Sequence, residues 1–149
     1  MQIRPYRDSD WPAVREIYEL AKPDELRGVV DASAIPPLDA DPDMKVLFHE
    51  SQILVMDDAN RIVGFGGSRR TSITWLFVHP AHRRKGVALA LVRAMLAELD
   101  GTITLNVATT NAAACNLYKR VGFTVEREFI GKFNGHACPV AKLRYHTAA

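Results

Sequence analysis

Apolar and polar positions along this chain change period several times, and each change marks an element boundary. Residues 2–6 (QIRPY) alternate and predict a short strand. Trp11, Val14, Ile17, Tyr18 and Ala21 then recur at helical spacing, behind Asp10 as a helix cap and Pro12 in the first turn. Residues 22–50 carry the weakest pattern: PDELRGVV suggests a short helix, AIPPLDADPD a loop, MKVLFHE a helix end. QILVMDD (52–58) and RIVGFGGSR (61–69) flank the turn DDAN and predict a hairpin, with Gly64, Gly66 and Gly67 marking a bulge or a close neighbour. SITWLFVHP is a third, β-branched and aromatic strand stopped by Pro80, and RKGVALALVRAMLAELD a long helix ending near Gly101. TITLNVA reads as a central strand and TNAAACNLYKRV as a helix closed by Gly122. FTVEREFIGKF and ACPVAKLRY pair as a last hairpin across NGH, with Asn134 and Gly135 as its turn signal. The order β-α-(α)-β-β-β-α-β-α-β-β predicts an α/β (α+β) fold, a mixed central sheet of about six to seven strands flanked by helices.

Composition narrows this reading. A chain of 149 residues favours one domain, residues 1–149. Apolar residues at 48% and charged residues at 24% fit a soluble globular protein. No apolar stretch has the length of a membrane span, and MQIRPYRDSD lacks the apolar core of a signal peptide, so a cytoplasmic location and no membrane partner are expected. Cys115 and Cys138 are too few for a disulfide framework or a zinc site and read as reduced thiols; no metal is expected. A net charge of +2 does not suggest a nucleic-acid binder.

The charge is unevenly spread, however. Arg69, Arg70, Arg83, Arg84 and Lys85 lie mid-chain, while Asp39, Asp41, Asp43, Glu50, Asp57 and Asp58 cluster just before them. These are either two ordinary solvated faces or a phosphate-binding side beside a region suited to a cationic acceptor.

The junction HPAHRRKGVALALV (79–92) points to the first function. A strand stopped by Pro80 runs into a helix whose first turn leaves backbone N–H groups without partners and whose dipole adds positive charge. Gly86 lets a ligand approach the backbone, Ala88 keeps that face low, and Arg83, Arg84 and Lys85 add charged donors. Together they read as a pyrophosphate cradle. Neither GxxxxGK[ST] nor GxGxxG is present, and the metal-binding carboxylates of a nucleoside-triphosphate enzyme are not evident.

These residues resemble the GCN5-related N-acetyltransferases. Arg83-Arg84-Lys85-Gly86-Val87-Ala88 fits that family's Arg/Gln-x-x-Gly-x-Gly/Ala signature at a strand-to-helix junction. Asn111, Ala114, Leu117, Tyr118, Gly122 and Phe123 fit its second signature, Asn-x-x-Ala-x-x-Leu-Tyr-x-x-x-Gly-Phe. The resemblance implies acetyl-CoA as co-substrate, its pyrophosphate on the N–H groups from Arg84 through Lys85, Gly86 and Val87 to Ala88, with Arg83 adding charge. Leu76, Phe77 and Val78 would pair with the pantetheine arm as an added strand does, and an N–H near Val78 would polarise the thioester carbonyl. The strands on either side would splay apart to admit the cofactor, beside Asn111 and Ala114.

Asn111 would hydrogen-bond the pantetheine or order its loop, and is equally suited to cap the helix behind it. Tyr118 is the candidate general acid for the leaving thiolate; on spacing alone it reads as a core tyrosine with a polar tip. Asn106 faces either core or cleft. Thr74 and Trp75 stand where the family often carries a glutamate base, which leaves Glu50, His49, His79 and His136 as candidates. Trp75, Phe129 and Phe133 are either core or acceptor lining.

The implied activity is direct acetyl transfer to a primary amine of a small molecule, an aminoglycoside-like compound, a peptide or a protein. The family also implies a possible homodimer. A CoA-binding module without turnover is the alternative, and a nucleic-acid-binding domain a more remote one.

Overall fold

The computed structural model describes residues 1–133 and 135–147. Seven strands form one sheet in the order β1-β2-β3-β4-β5-β7-β6: β1 Gln2–Pro5, β2 Gln52–Asp58, β3 Arg61–Arg69, β4 Ser72–Val78, β5 Thr102–Ala108, β6 Thr124–Phe133 and β7 His136–His146. The helices are α1 Trp11–Glu25, α2 Pro42–Glu50, α3 Val87–Glu98 and α4 Ala112–Val121. The sheet is the mixed one expected from the chain's periodicity.

All pairings are antiparallel except β4 with β5. The sheet therefore consists of two antiparallel blades, β1-β2-β3-β4 and β5-β7-β6, joined by one parallel contact. Residues 59 and 60 close the β2–β3 hairpin with Ala59 at φ 52° and Asn60 at φ 69°, the double positive φ of a type I′ turn. Asn134, half of the signal expected at the last hairpin, lies outside the described residues; Gly135 has φ 82°.

Alternation along the strands gives the sheet two cores. On one face Leu54, Met56, Val63, Ile103, Leu105 and Val107 meet Leu91, Val92 and Met95 of α3 and Tyr118 of α4. On the other, Val55, Phe65, Trp75 and Phe77 meet Val14, Ile17 and Tyr18 of α1 and Phe48 of α2. Helix α3 lies close on β3 because the strand offers no side chains there. A Cβ at Gly64 would meet Val87 at 2.8 Å, and one at Gly66 would meet Met95 at 2.9 Å. The β3–β4 register also shifts between Gly67 and Ser68, leaving Thr74 as the extra residue of a bulge. The glycines thus mark both a close neighbour and a bulge.

Three details differ from the sequence reading. First, α1 runs through Pro23 to Glu25, although a proline inside a helix removes one ladder bond. The buried stripe ending in Ala21 and Lys22 holds that turn against the sheet. Second, Asp10 occupies the cap position of α1 but makes no capping hydrogen bond. Its carboxylate is taken by Arg4, at 2.9 Å to each oxygen, and by the Arg7 N–H at 2.8 Å. Third, the loop beyond α1 contains two 3-10 turns, Ala32–Ala34 and Leu38–Ala40, before Asp41 caps a complete helix α2 by accepting from the Met44 N–H at 3.2 Å. Short polar turns mask the one periodic segment there.

Candidate active site

The blades meet at a single pair, Ser72 with Thr104. The Thr104 N–H donates to the Thr71 carbonyl at 2.9 Å, and the Ser72 and Thr104 hydroxyls lie 3.2 Å apart. Beyond this bridge β5 pairs only with β7, over Thr102 to Ala108. A gap therefore opens along β4 from Ile73 to Val78.

Strand alternation fixes what lines it. The His79 N–H donates to the Val63 carbonyl at 2.8 Å, so in the register Phe77↔Phe65 and Val78↔Gly64 the backbone groups of Phe77 point to β3. Those of Leu76 and Val78 then point into the gap. The Leu76 and Val78 side chains pack toward the α3 core, while Phe77 packs among the α1-side aromatics. Of the three residues expected along the cofactor arm, two present backbone to the gap.

The gap leads to the junction after β4. Arg84 has φ 62° and Gly86 φ 78°, so the loop turns twice through the left-handed region before α3 begins. Gly86 is the N-terminal boundary residue of α3 and supplies no side-chain cap. The first ladder bond of the helix runs from the Ala90 N–H to the Gly86 carbonyl at 3.0 Å. The N–H groups of Val87, Ala88 and Leu89 are the helix's unpaired donors. A Cβ at Gly86 would meet nothing within 4 Å, so the space before these donors is open. An anion fits this setting of main-chain donors and helix dipole.

Arg83, by contrast, donates to Asp24 at 2.6 Å and so ties the junction to the end of α1. Arg27 also pairs with Asp24. The Arg83 hydrogen bond, foremost, holds the Asp24 carboxyl below its ordinary range. Arg84 and Lys85 are exposed.

Helix α4 approaches from the α3 face. Asn111 is its cap, accepting from the Ala114 N–H at 3.3 Å, so the capping role is present. Tyr118 is 6% exposed and packs edge-on against Phe123, with ring centroids 5.5 Å apart. Its hydroxyl has no hydrogen-bond partner among the described residues. Burial first, then the charge of Glu25, pushes its pKa up, so the phenol is protonated at neutral pH.

That dependence on Glu25 identifies residues the sequence reading missed. Lys22 and Glu25 extend the buried stripe of α1 by one turn, Lys22 following Tyr18 and Glu25 following Ala21 at i+4. Helical spacing was the available signal. The Lys22 Nζ lies 2.8 Å from Glu25 Oε2, an ion pair whose angles do not make a hydrogen bond. It also sits 5.9, 5.6 and 5.4 Å from the ring centroids of Tyr18, Phe77 and Phe133. Glu25 further raises the pKa of Tyr18 and Cys138, each already raised mainly by burial. The Tyr18 hydroxyl is buried without a partner among the described residues.

Three of the four base candidates named from sequence have partners of their own. Glu50 accepts from Arg69 at 2.8 Å, and His49 stacks on Trp11. His79 accepts from the Ala81 N–H at 3.0 Å through Nδ1, and His136 is exposed at the start of β7. Thr74 meets the Ser51 hydroxyl at 2.9 Å. Trp75 is core at 1% exposure. Phe133 joins the Lys22 cluster, whereas Phe129 lies under Arg127 at 4.6 Å. Asn106 is exposed on β5, opposite Lys142 in the register. Cys115 and Cys138 are both free thiols.

Solved structures share this architecture. The GCN5-related N-acetyltransferase "Aminotransferase, Class-II" of Rhodopseudomonas palustris superposes with a TM-score of 0.84 at 16% identity, over 98% of this chain and 95% of its own. The yncA protein of Salmonella typhimurium, solved with its cofactor acetyl-CoA, gives 0.74 at 19%, over 100% and 96%. The ribosomal-protein-S18-alanine N-acetyltransferase of Escherichia coli gives 0.74 at 19%, over 99% and 96%. No curated protein matches the chain in sequence. The model of the acetyltransferase (GNAT) domain matches residues 49–125, a stretch that takes in both strands of the gap, the junction before α3 and Tyr118. On that match the chain belongs to the GNAT acetyltransferase family.

Proposed function

We propose that this acetyltransferase moves the acetyl group of acetyl-CoA to a primary amine by direct attack within a ternary complex. The observation that carries the reading is the gap between β4 and β5, which opens toward the uncapped N-terminus of α3 and is backed by the core that holds Tyr118.

Bound acetyl-CoA supplies an activated thioester. The main-chain donors at the start of α3 hold its pyrophosphate, and the outward backbone of Leu76 and Val78 takes the pantetheine as a sheet takes a strand. The Val78 N–H is placed to stabilise charge developing on the thioester carbonyl oxygen. Tyr118 keeps its proton at neutral pH because it is buried, and gives it to the sulfur as that atom takes up charge. The fold otherwise contributes alignment, holding amine and carbonyl together across the gap.

Titration calorimetry with acetyl-CoA, and with free CoA for comparison, tests the cofactor half of the reading. Saturable one-to-one binding is expected, and no binding of either ligand defeats it. Thiol release across a panel of primary amines tests the transfer half, and hydrolysis that no amine accelerates would defeat that half.

A further inference from the structure

Lys22 is the only buried lysine among the described residues, at 8% exposure. A lysine leaves water only when its charge is compensated. Here the compensation is an aromatic enclosure of Tyr18, Phe77 and Phe133 together with the Glu25 carboxylate at 2.8 Å. The position of that enclosure matters. Phe77 lies on β4 between Leu76 and Val78, whose backbone faces the gap. Phe133 ends β6. Tyr118 is buried in the core on the opposite face of the sheet, with Leu76 and Val78 packed against the same cluster, and the charge of Glu25 adds to the burial that raises its pKa. An amine and a carboxylate therefore stand on one face of the sheet beside Phe77, toward the open end of the gap, and a phenol is buried in the core on the other face. The first is a nucleophile, the second can take its proton, and the third can protonate a leaving group.

We propose that Lys22 is an acetylation site of this enzyme, modified by the enzyme's own active site. The inference rests on the acetyl-CoA reading above. Glu25 takes one proton from the Lys22 ammonium and passes it to solvent. The freed nitrogen lone pair forms the C–N bond to the acetyl carbon as the C–S bond breaks. The sulfur leaves with that electron pair and takes the proton of Tyr118. The second nitrogen proton restores the Tyr118 phenol as the amide forms, and the third stays on the amide. The products are Nζ-acetyl-Lys22, free CoA and one proton. Acetylation removes the charge that Glu25 and the three rings enclose, which leaves Glu25 open to the ammonium of a separate acceptor.

The test is peptide mapping by mass spectrometry of the intact enzyme, first as purified and then after incubation with acetyl-CoA. Lys22 is expected to carry one acetyl group, and Lys22→Arg to lose that increment. Tyr118→Phe should slow acetylation at Lys22 about a hundredfold while leaving surface Lys119 and Lys132 unchanged. A readout free of turnover accompanies it: the isotope-labelled ε-carbon resonance of Lys22 should move on addition of free CoA, and again on Glu25→Gln. The proposal is overturned if acetyl-CoA binds by calorimetry yet Lys22 stays unmodified. Equal slowing at Lys22 and at the surface lysines overturns it as well. Absence of acetyl-CoA binding removes the proposed function and this inference together.

Discussion

On the α3 side the gap is bordered by main chain: the outward backbone of Leu76 and Val78, the left-handed turns at Arg84 and Gly86, and the uncapped start of α3. On the α1 side stands a cluster of side chains: Lys22, Glu25, Tyr18 and Phe77, with Phe133 coming from the other blade. A site made of main chain depends on a few backbone conformations that neighbouring residues in sequence determine. A site made of side chains depends on three segments, α1, β4 and β6, arriving together. The first kind tolerates wide changes of side chain, and the second can be rebuilt without disturbing the first.

Substitutions can break that contrast. The largest effect is expected from Tyr118→Phe, which should lower the transfer rate about a hundredfold or more. Acetyl-CoA affinity should hold, and thermal stability should hold too, because the hydroxyl has no partner among the described residues to lose; an unchanged rate sinks the acid role. Gly86→Val forces a β-branched residue to φ 78° and sets it before the open donors. Acetyl-CoA affinity should fall by more than about tenfold, beyond the ~1–2 kcal/mol that left-handed strain alone costs. Calorimetry on the folded variant checks this, and unaltered affinity would mean that the cradle is not where the phosphates bind.

Gly67→Ala tests the scaffold. A Cβ there meets Ile53 at 2.6 Å and the Trp75 ring at 2.9 Å, and the ring cannot yield as a flexible side chain does. A loss of about 1–3 kcal/mol is expected from urea midpoints, with no loss of acetyl-CoA affinity beyond what stability explains. Asp10 concerns the other end of α1. Arg4, first among its causes, holds the Asp10 carboxyl low. Its contribution is therefore present above the ordinary carboxylate pKa of about 4 and is lost as pH falls through the lowered folded value. Asp10→Asn should be less stable than the parent at neutral pH and should lose less stability on acidification. Parallel urea midpoints against pH would refute this.

The smallest effect should come from Asp24→Asn. Exposed ion pairs contribute about 1 kcal/mol or less, so stability should barely move. The freed Arg83 should tighten acetyl-CoA binding, most visibly at low salt. An affinity that does not move means that the pair only anchors α1.

The same contrast explains what was legible in the sequence. The β4–α3 junction could be read because Pro80, Gly86 and the helix behind them are neighbours in the chain, and the Asn111–Tyr118 spacing lies within one helix. The bulge at Thr74 and the close approach of α3 were signalled by Gly64, Gly66 and Gly67. The cluster around Lys22 was missed for a different reason. Lys22 and Glu25 follow the helical stripe, but Pro23 between them argues for a helix end, and only tertiary packing overrides it. Nothing local ties Lys22 to Phe133, which lies in another blade. Arg83 was legible as a charge, but its engagement with Asp24 depends on the path of α1.

The single Ser72–Thr104 bridge has a further consequence. A sheet that stops pairing halfway along a strand keeps a row of amides whose exchange with solvent no partner slows. Whatever lies along Leu76 and Val78 works as a missing strand of the protein as well as its ligand. Its binding adds RT ln(1 + [L]/Kd) to the stability of the whole fold. Amide exchange at Leu76 and Val78 therefore measures how far the sheet has been completed, residue by residue.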